Sequence, residues 1–159
     1  MDPNKKPAQL NSPFVTSVMK YAGKAHVWLY RKSGGKIGAN WRIGSGFKKP
    51  VPTLLLEHTG RKSGKTFVSP LVFIEDGEDV VVVASQGGRD LDPQWYRNLV
   101  AIPDVHIEIG SDRRAVRAVT ASPEERARLW PKLVEANPDF DTYQAWADRE
   151  IPVIVLKPR

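Results

Sequence analysis

The sequence predicts an α+β domain whose antiparallel sheet curls into a small barrel, and three observations carry that prediction. Short strand-like runs come in hairpin pairs, helix signals fall between the pairs, and the βαβ alternation of a doubly wound fold is missing. At 159 residues the chain has the size of a single domain, able to bury about two-thirds of the surface its unfolded form exposes. With 41% hydrophobic and 26% charged residues it is neither disordered nor fibrous, so a packed core is expected. Cysteine is absent, which excludes a disulfide scaffold, a zinc finger and a thiol nucleophile.

The first element is a helix. Ser12 is its N-cap, and Pro13 sits at the first helical position, where its missing N–H does no harm. Phe14, Val18, Tyr21, Ala22, Ala25, Trp28 and Leu29 recur at helical spacing as one apolar stripe, expected to pack on the domain. Lys20, Lys24 and Arg31 lie on another face, which is either solvated or set against an anionic membrane surface. Residues 33–50, rich in Gly, Ser and Lys, read as a loop or mobile strap.

After Pro52 the periodicity changes from helical to alternating. Strands over 53–58 and 67–75 flank a glycine-containing loop, and Asp76-Gly77 marks a hairpin into a third strand over 80–84. Asp92 is expected to cap a short helix, with Pro93 at its first position and its end near Ala101. Strands over 105–109 and 115–120 follow as a second hairpin around Gly110-Ser111-Asp112. Ser122-Pro123-Glu124-Glu125 is a capping box opening a helix to about Ala136. Asn137 and Pro138 cap another helix to about Arg149, and Pro152 leads into a last strand over 153–156.

Charge is unevenly placed along the chain. The first fifty residues hold ten lysines and arginines against one acid, a net +9, which leaves the remainder at −3 of the total +6. The chain therefore reads as a basic N-terminal segment, 1–50, on a nearly neutral barrel, 51–159, one domain overall. A uniformly basic nucleic-acid-binding barrel is disfavoured by that pattern, and no nucleic-acid partner is expected. The apolar runs at 53–56 and 80–84 are too short to cross a bilayer, and no secretory pattern opens the chain. A cytoplasmic location is expected, with peripheral membrane contact through the first helix as its variant.

Two segments are candidates for chemistry. Thr59-Gly60-Arg61-Lys62-Ser63-Gly64-Lys65-Thr66 ends like a phosphate loop but has three residues, not four, between its glycines and lies between strands. It is not a nucleotide-triphosphate loop, yet its glycines, hydroxyls and cations suit a phosphodiester or carboxylates. Ala84-Ser85-Gln86-Gly87-Gly88 is a strand end running into a glycine turn, followed by Trp95 and Tyr96, which could wall a flat ring. His26, His58 and His106 are far apart with no carboxylate at ligand spacing, so no metal is expected. Ser85 has no identifiable base and no acid pair stands out, which assigns the hard chemistry to a bound cofactor.

The ordered series Asn11-Ser12-Pro13, Trp28-Leu29-Tyr30-Arg31, Thr59-Gly60-Arg61-Lys62-Ser63-Gly64 and Pro70-Leu71 carries a resemblance to a known family. It continues through Ala84-Ser85-Gln86-Gly87-Gly88, Pro93-Gln94-Trp95-Tyr96-Arg97-Asn98-Leu99, Tyr143-Gln144-Ala145-Trp146 and Ile151-Pro152. The chain resembles the actinobacterial deazaflavin-dependent nitroreductases, also described as F420H2-dependent quinone reductases. The resemblance implies a split β-barrel of the FMN-binding, flavin-reductase kind that binds coenzyme F420, an 8-hydroxy-5-deazaflavin. It further implies hydride transfer from the reduced coenzyme to a small-molecule acceptor, a quinone or similar electron-poor compound, nitroaromatics included.

By the same resemblance, Arg61, Lys62 and Ser63 hold the phosphate and glutamate tail, with Phe67, Val68, Ser69, Pro70, Leu71 and Val72 beside the coenzyme. Val83, Ala84, Ser85 and Gln86 line the deazaflavin ring, and Gln94, Trp95, Tyr96, Arg97 and Asn98 close the pocket. Asn137, Phe140 and Tyr143 form the substrate wall. Hydride transfer also needs a proton or hydrogen bond at the acceptor, and Ser85 and Tyr143 are expected to supply it. Relatives carry basic residues where this chain has Phe67 and Gln86, and Lys65 is the available substitute for one of them. An FMN-dependent oxidoreductase of the same barrel class and a carrier without turnover are the alternative readings.

Overall fold

The structure, a computed structural model, describes residues 2–42 and 49–159. Residues 43–48, part of the segment expected as a loop or strap, lie outside the described residues. In chain order the elements are α1 (Pro13–Lys32), β1 (Asn40–Trp41), β2 (Val51–Thr59), β3 (Thr66–Asp76), β4 (Asp79–Val83), α2 (Gln94–Ala101), β5 (Asp104–Ile109), β6 (Asp112–Thr120), α3 (Pro123–Ala136), α4 (Asp139–Trp146) and β7 (Val153–Pro158).

Local turn chemistry starts the sheet. Asp76 pairs with Asp79 across a two-residue turn in which Gly77 takes φ 67°, a conformation that costs glycine nothing. The strands run in the order β1-β2-β3-β4-β7-β6-β5, every pair antiparallel, and β5 returns to pair with β2. That last pairing, Leu56 opposite Ile107, closes strands β2 to β7 into a six-stranded barrel. β1 stands outside the barrel on β2, two residues of strand in a segment expected to be loop.

Alternation decides what fills the barrel. Leu54, Leu56, Phe73, Val80, Val82, Val105, Ile107, Val116, Ile154 and Leu156 form the inner cluster, with Trp95 and Leu99 of α2 packed into it. The other faces of β4 and β7 carry Val81, Val83, Val153 and Val155 beneath Leu129 and Leu133 of α3 and Phe140 of α4. Both faces of β4 are therefore buried, which is why its sequence is an unbroken apolar run rather than an alternation. Each such leucine or valine contributes roughly 1.5–3 kcal/mol by leaving water.

Two helix boundaries depart from expectation. α2 starts one residue late, with Pro93 at the N-cap, because the Asp92 carboxylate is drawn to Arg149, 2.8 Å from its Nη1. α4 stops at Trp146 because Ala147 turns extended, at φ −81° and ψ 134°. Its start is held as expected, since Asn137 Oδ1 accepts the Asp139 N–H at 3.3 Å.

The largest correction concerns α1, which packs by the face opposite its apolar stripe. Tyr30 is 1% exposed, whereas Phe14, Tyr21 and Trp28 are 73%, 67% and 61% exposed, and Val18, Ala22, Ala25 and Leu29 are exposed with them. At about 100° per residue, Gly23 and Tyr30 point away from Phe14 and Ala25. The polar anchor explains the choice: the Tyr30 hydroxyl donates to the Thr53 carbonyl at 3.2 Å and accepts the Gly110 N–H at 2.7 Å. Arg31, expected on a free basic face, instead pairs with Glu108 and lies 3.6 Å from Glu57.

Candidate functional site

The charged loop between β2 and β3 is closed by its own backbone: the Gly60 N–H donates to the Lys65 carbonyl, and the Gly64 N–H to the Gly60 carbonyl, both at 2.8 Å. Lys62, Ser63 and Lys65 remain exposed at its tip, while Arg61 turns back to α2. The Arg61 backbone N–H donates to Asn98 Oδ1 at 3.1 Å. Its Nη1 donates to the same oxygen at 3.2 Å and to Gln94 Oε1 at 2.9 Å. Gln94 and Asn98 are one helical turn apart, so a single face of α2 serves the loop.

Behind Asn98 lies His58, which in the sequence stands as an isolated histidine. Its Nδ1 is 3.0 Å from Asn98 Nδ2, its Nε2 is 3.1 Å from Ser69 Oγ, and its ring stacks on Phe67 at 5.9 Å. Burial pushes its pKa down to about 4. The available signal was positional: His58 continues the inward alternation of Leu54 and Leu56, where a polar residue needs a partner. Among the described residues no cluster of His, Cys, Asp or Glu could hold a metal ion.

The second half of the site is the turn after β4. Gln86, Gly87 and Gly88 take φ of 47°, 68° and 82° in succession. Only glycine fits the last position, since a Cβ there would also stand 3.1 Å from Tyr143 Cα and from its carbonyl oxygen. Gln86 is the one non-glycine at positive φ among the described residues, a strain of roughly 1–2 kcal/mol. Arg149 holds the segment from beneath, donating to the carbonyls of Ala84 at 2.9 Å and Arg89 at 3.2 Å. Gln144 in turn accepts the Ile151 N–H and donates to the Arg149 carbonyl, fixing the extended stretch that presents Arg149.

The N-terminal segment crosses this turn. Lys6 and Asn11 both donate to the Asp90 carboxylate, at 2.6 and 2.7 Å, and Trp146 Nε1 donates to the Asp2 carbonyl at 3.1 Å. The Lys6 ammonium, then the Asp148 N–H and Asn11, hold the Asp90 pKa down to about 2.

Of the residues the sequence singled out, Arg61, Gln94, Asn98, Phe67 and Ser69 come together at the mouth of the barrel. Ser85 and Gln86 lie in the turn, and Tyr143 of α4 abuts it at Gly88. Others are placed elsewhere. The strand alternation of β3 puts Phe67, Ser69 and Leu71 on the inner face and Val68, Pro70 and Val72 on the outer one, so the six do not form one wall. Trp95 is packed into the barrel cluster, and Val83 and Ala84 are buried. Tyr96 lies on the far side of α2, its hydroxyl 3.3 Å from Thr120 Oγ1, at the edge of a cavity of about 320 Å³ lined also by Leu99, Val119 and Ile154. Arg97 is half-buried on the same helix.

The residues of the expected substrate wall differ in exposure. Asn137 and Phe140 are buried, because Phe140 fills the layer between α4 and the outer face of β4, with its ring 6.5 Å from Trp130 and 6.4 Å from Tyr143. Tyr143 alone of the three keeps a partly exposed side chain, and burial with the nearby Asp139 pushes its pKa up to about 12.

A closed antiparallel barrel with a cationic loop at its mouth and a glycine turn at a strand end defines a split barrel of the flavin-reductase kind. A solved F420-H2 dependent reductase (FDR-A) superposes with a TM-score of 0.62 at 37% identity, covering 67% of this chain and 94% of that one. The haem storage protein HutZ of Vibrio cholerae, at 16% identity and a TM-score of 0.51 over 67% of this chain, shares the fold alone. A protein of Mycobacterium tuberculosis (strain ATCC 25618 / H37Rv), named as an F420H(2)-dependent quinone reductase, is 64% identical over 118 residues, 74% of this chain and 99% of that protein. A second of that name from the same organism is 38% identical over 144 residues, 83% of this chain and 97% of its own length. Residues 22–158 match the family described as F420H(2)-dependent quinone reductase, and the chain belongs to it.

Proposed function

We propose that the protein is an F420H2-dependent quinone reductase, an oxidoreductase that takes hydride from reduced coenzyme F420 to a quinone or similar electron-poor acceptor. The observation that carries the reading is the family match over residues 22–158, made concrete by a guanidinium that two α2 side chains hold at the barrel mouth. The donor set fits an anionic tail: Arg61 and Lys62 bring fixed and mobile positive charge, and Ser63 adds a hydroxyl. The coenzyme, when bound, supplies the hydride.

The rest is the work of the chain. Arg61, Lys62 and Ser63 hold the tail, and the turn after β4, stiffened by Arg149, lets the ring approach the backbone at Gly87 and Gly88. The Tyr143 hydroxyl stays protonated throughout the physiological range, so it acts as a hydrogen-bond donor to an acceptor oxygen that gains charge. Ser85 is the second candidate donor. Parallel titration with F420 and FMN, followed by tryptophan fluorescence, should show tight binding of F420 alone. Menadione should then be turned over with reduced F420. Equal FMN binding would favour the flavin alternative, and binding without turnover a carrier.

We propose further that the protein works in the cytoplasm with α1 resting on anionic membrane, where lipid-soluble quinones reside. Among the described residues no helix is long and apolar enough to cross a membrane. The outward stripe of Phe14, Val18, Tyr21 and Trp28, with Lys20 and Lys24 beside it, suits the interface. The protein should sediment with anionic liposomes and be released by salt, each basic residue contributing about 1 kcal/mol. Equal sedimentation with neutral liposomes, or none with either, would leave α1 as a solvated helix.

A further inference from the structure

We infer that His58 is a positioning residue that presets the anion grip of Arg61 through Asn98 and makes Ser69 a directed hydroxyl donor at the barrel mouth. The inference rests on reading Arg61 as a ligand of the cofactor's anionic tail, and it concerns how that ligand is held.

Donor chemistry fixes the whole chain of bonds. The Arg61 backbone N–H and guanidinium can only donate, and both reach one Asn98 atom, at 3.1 and 3.2 Å, so that atom is the amide oxygen. The other end of the amide is then NH2, and it donates to His58 Nδ1 at 3.0 Å. A ring nitrogen that accepts carries no proton, so the neutral ring is protonated at Nε2, where it donates to Ser69 Oγ at 3.1 Å. Ser69 Oγ is thereby used as an acceptor of that bond, and its own hydrogen is left to point at a ligand. Burial keeps the ring in the neutral form this arrangement requires.

The placement comes from the sheet. His58 pairs with Phe67 across β2 and β3, and Leu56 with Ser69, so the imidazole lies over the hairpin just before the charged loop begins. Asn98 meets it from α2, and direct bonds link loop, helix and two strands. Without an acceptor at Nδ1, the Asn98 amide is free to rotate and turn its NH2 toward the Arg61 donors. The loop then has to be ordered when the cofactor binds, which weakens binding and leaves the chemistry alone.

His58→Phe keeps the ring volume and the stack on Phe67 but loses both hydrogen bonds. It should raise the dissociation constant for F420 about tenfold, the effect of roughly one hydrogen bond, with turnover at saturating cofactor nearly unchanged. His58→Gln, whose amide oxygen and nitrogen repeat the acceptor and donor of the imidazole, should restore most of the affinity. Nitrogen-detected NMR of the full chain at pH 7 should show Nδ1 bare and Nε2 protonated, and this reading needs neither a variant nor the cofactor. The opposite tautomer, a protonated ring, or unchanged F420 affinity in folded His58→Phe while Arg61→Ala weakens it, would overturn the inference. If Arg61→Ala itself leaves F420 binding unchanged, the assignment of the loop fails instead, and the NMR result still decides the bonding of His58.

Discussion

Replacing Arg61 and Lys62 together by alanine should weaken F420 binding by about 2–4 kcal/mol, roughly 30- to 1,000-fold. Charge-assisted hydrogen bonds contribute about 1.5–3 kcal/mol each and add incompletely when they share a ligand. The structure separates the two contributions. Lys62 is exposed, so its charge is screened and its loss lies at the low end. Arg61 is half-buried and held by Gln94 and Asn98, so its loss removes a preordered donor as well as a charge. Affinity should fall with ionic strength in the wild type and much less so in the double variant, whereas turnover at saturating cofactor should change little. Fluorescence titration at two salt concentrations checks both statements, and an unchanged dissociation constant in the folded double variant would remove the loop from the binding site.

Acidification should cost the fold about 3 kcal/mol at His58 alone. In the unfolded chain this histidine takes up a proton near 6.5, but in the folded protein burial delays uptake to about 4. Between those values the unfolded state binds more protons, so the contribution is complete above about pH 6.5 and is lost progressively as the pH falls to 4. Asp76 and Asp90, each held at about 2, act in a lower window: their stabilisation is lost only as the pH drops below the ordinary 3.8. Urea unfolding at pH 7 and pH 4.5 should therefore show a loss in the wild type that is much reduced in His58→Gln. Parallel losses in the two proteins would mean that His58 takes up its proton in the folded state as readily as in the unfolded one.

Much of the fold was legible because its signals are local. Ser12 and Ser122 accept N–H groups three residues on, at 3.3 and 3.2 Å, as their caps required, and Gly77 makes the expected hairpin turn. The barrel itself was legible from its hairpins, but the strands that close it were not, since the β2–β5 pairing joins segments about fifty residues apart with no motif to mark it. The packed face of α1 was misread because periodicity reports where apolar groups lie, whereas a buried tyrosine hydroxyl with two backbone partners decides the orientation. At the site, the cationic loop and glycine turn were visible as sequence. Arg149 was not, because its partners Ala84 and Arg89 lie 65 and 60 residues earlier. The burial of Phe140 was not legible either, because the outer face of β4 that it covers lies about sixty residues earlier.

The two-sided burial of β4 has a dynamic counterpart. A strand covered by the barrel interior on one side and by α3 and α4 on the other opens only when both layers separate, at a free energy near that of global unfolding. The Ser85 turn hangs from the end of that strand, while the Arg61 loop is the tip of a hairpin exposed on its outer side and can open on its own. The two ends of the proposed cofactor site therefore fluctuate on different timescales. On the proposed reading, capture and release of the charged tail would belong to fast local opening, while the turn proposed to lie beneath the ring keeps its geometry through many such events.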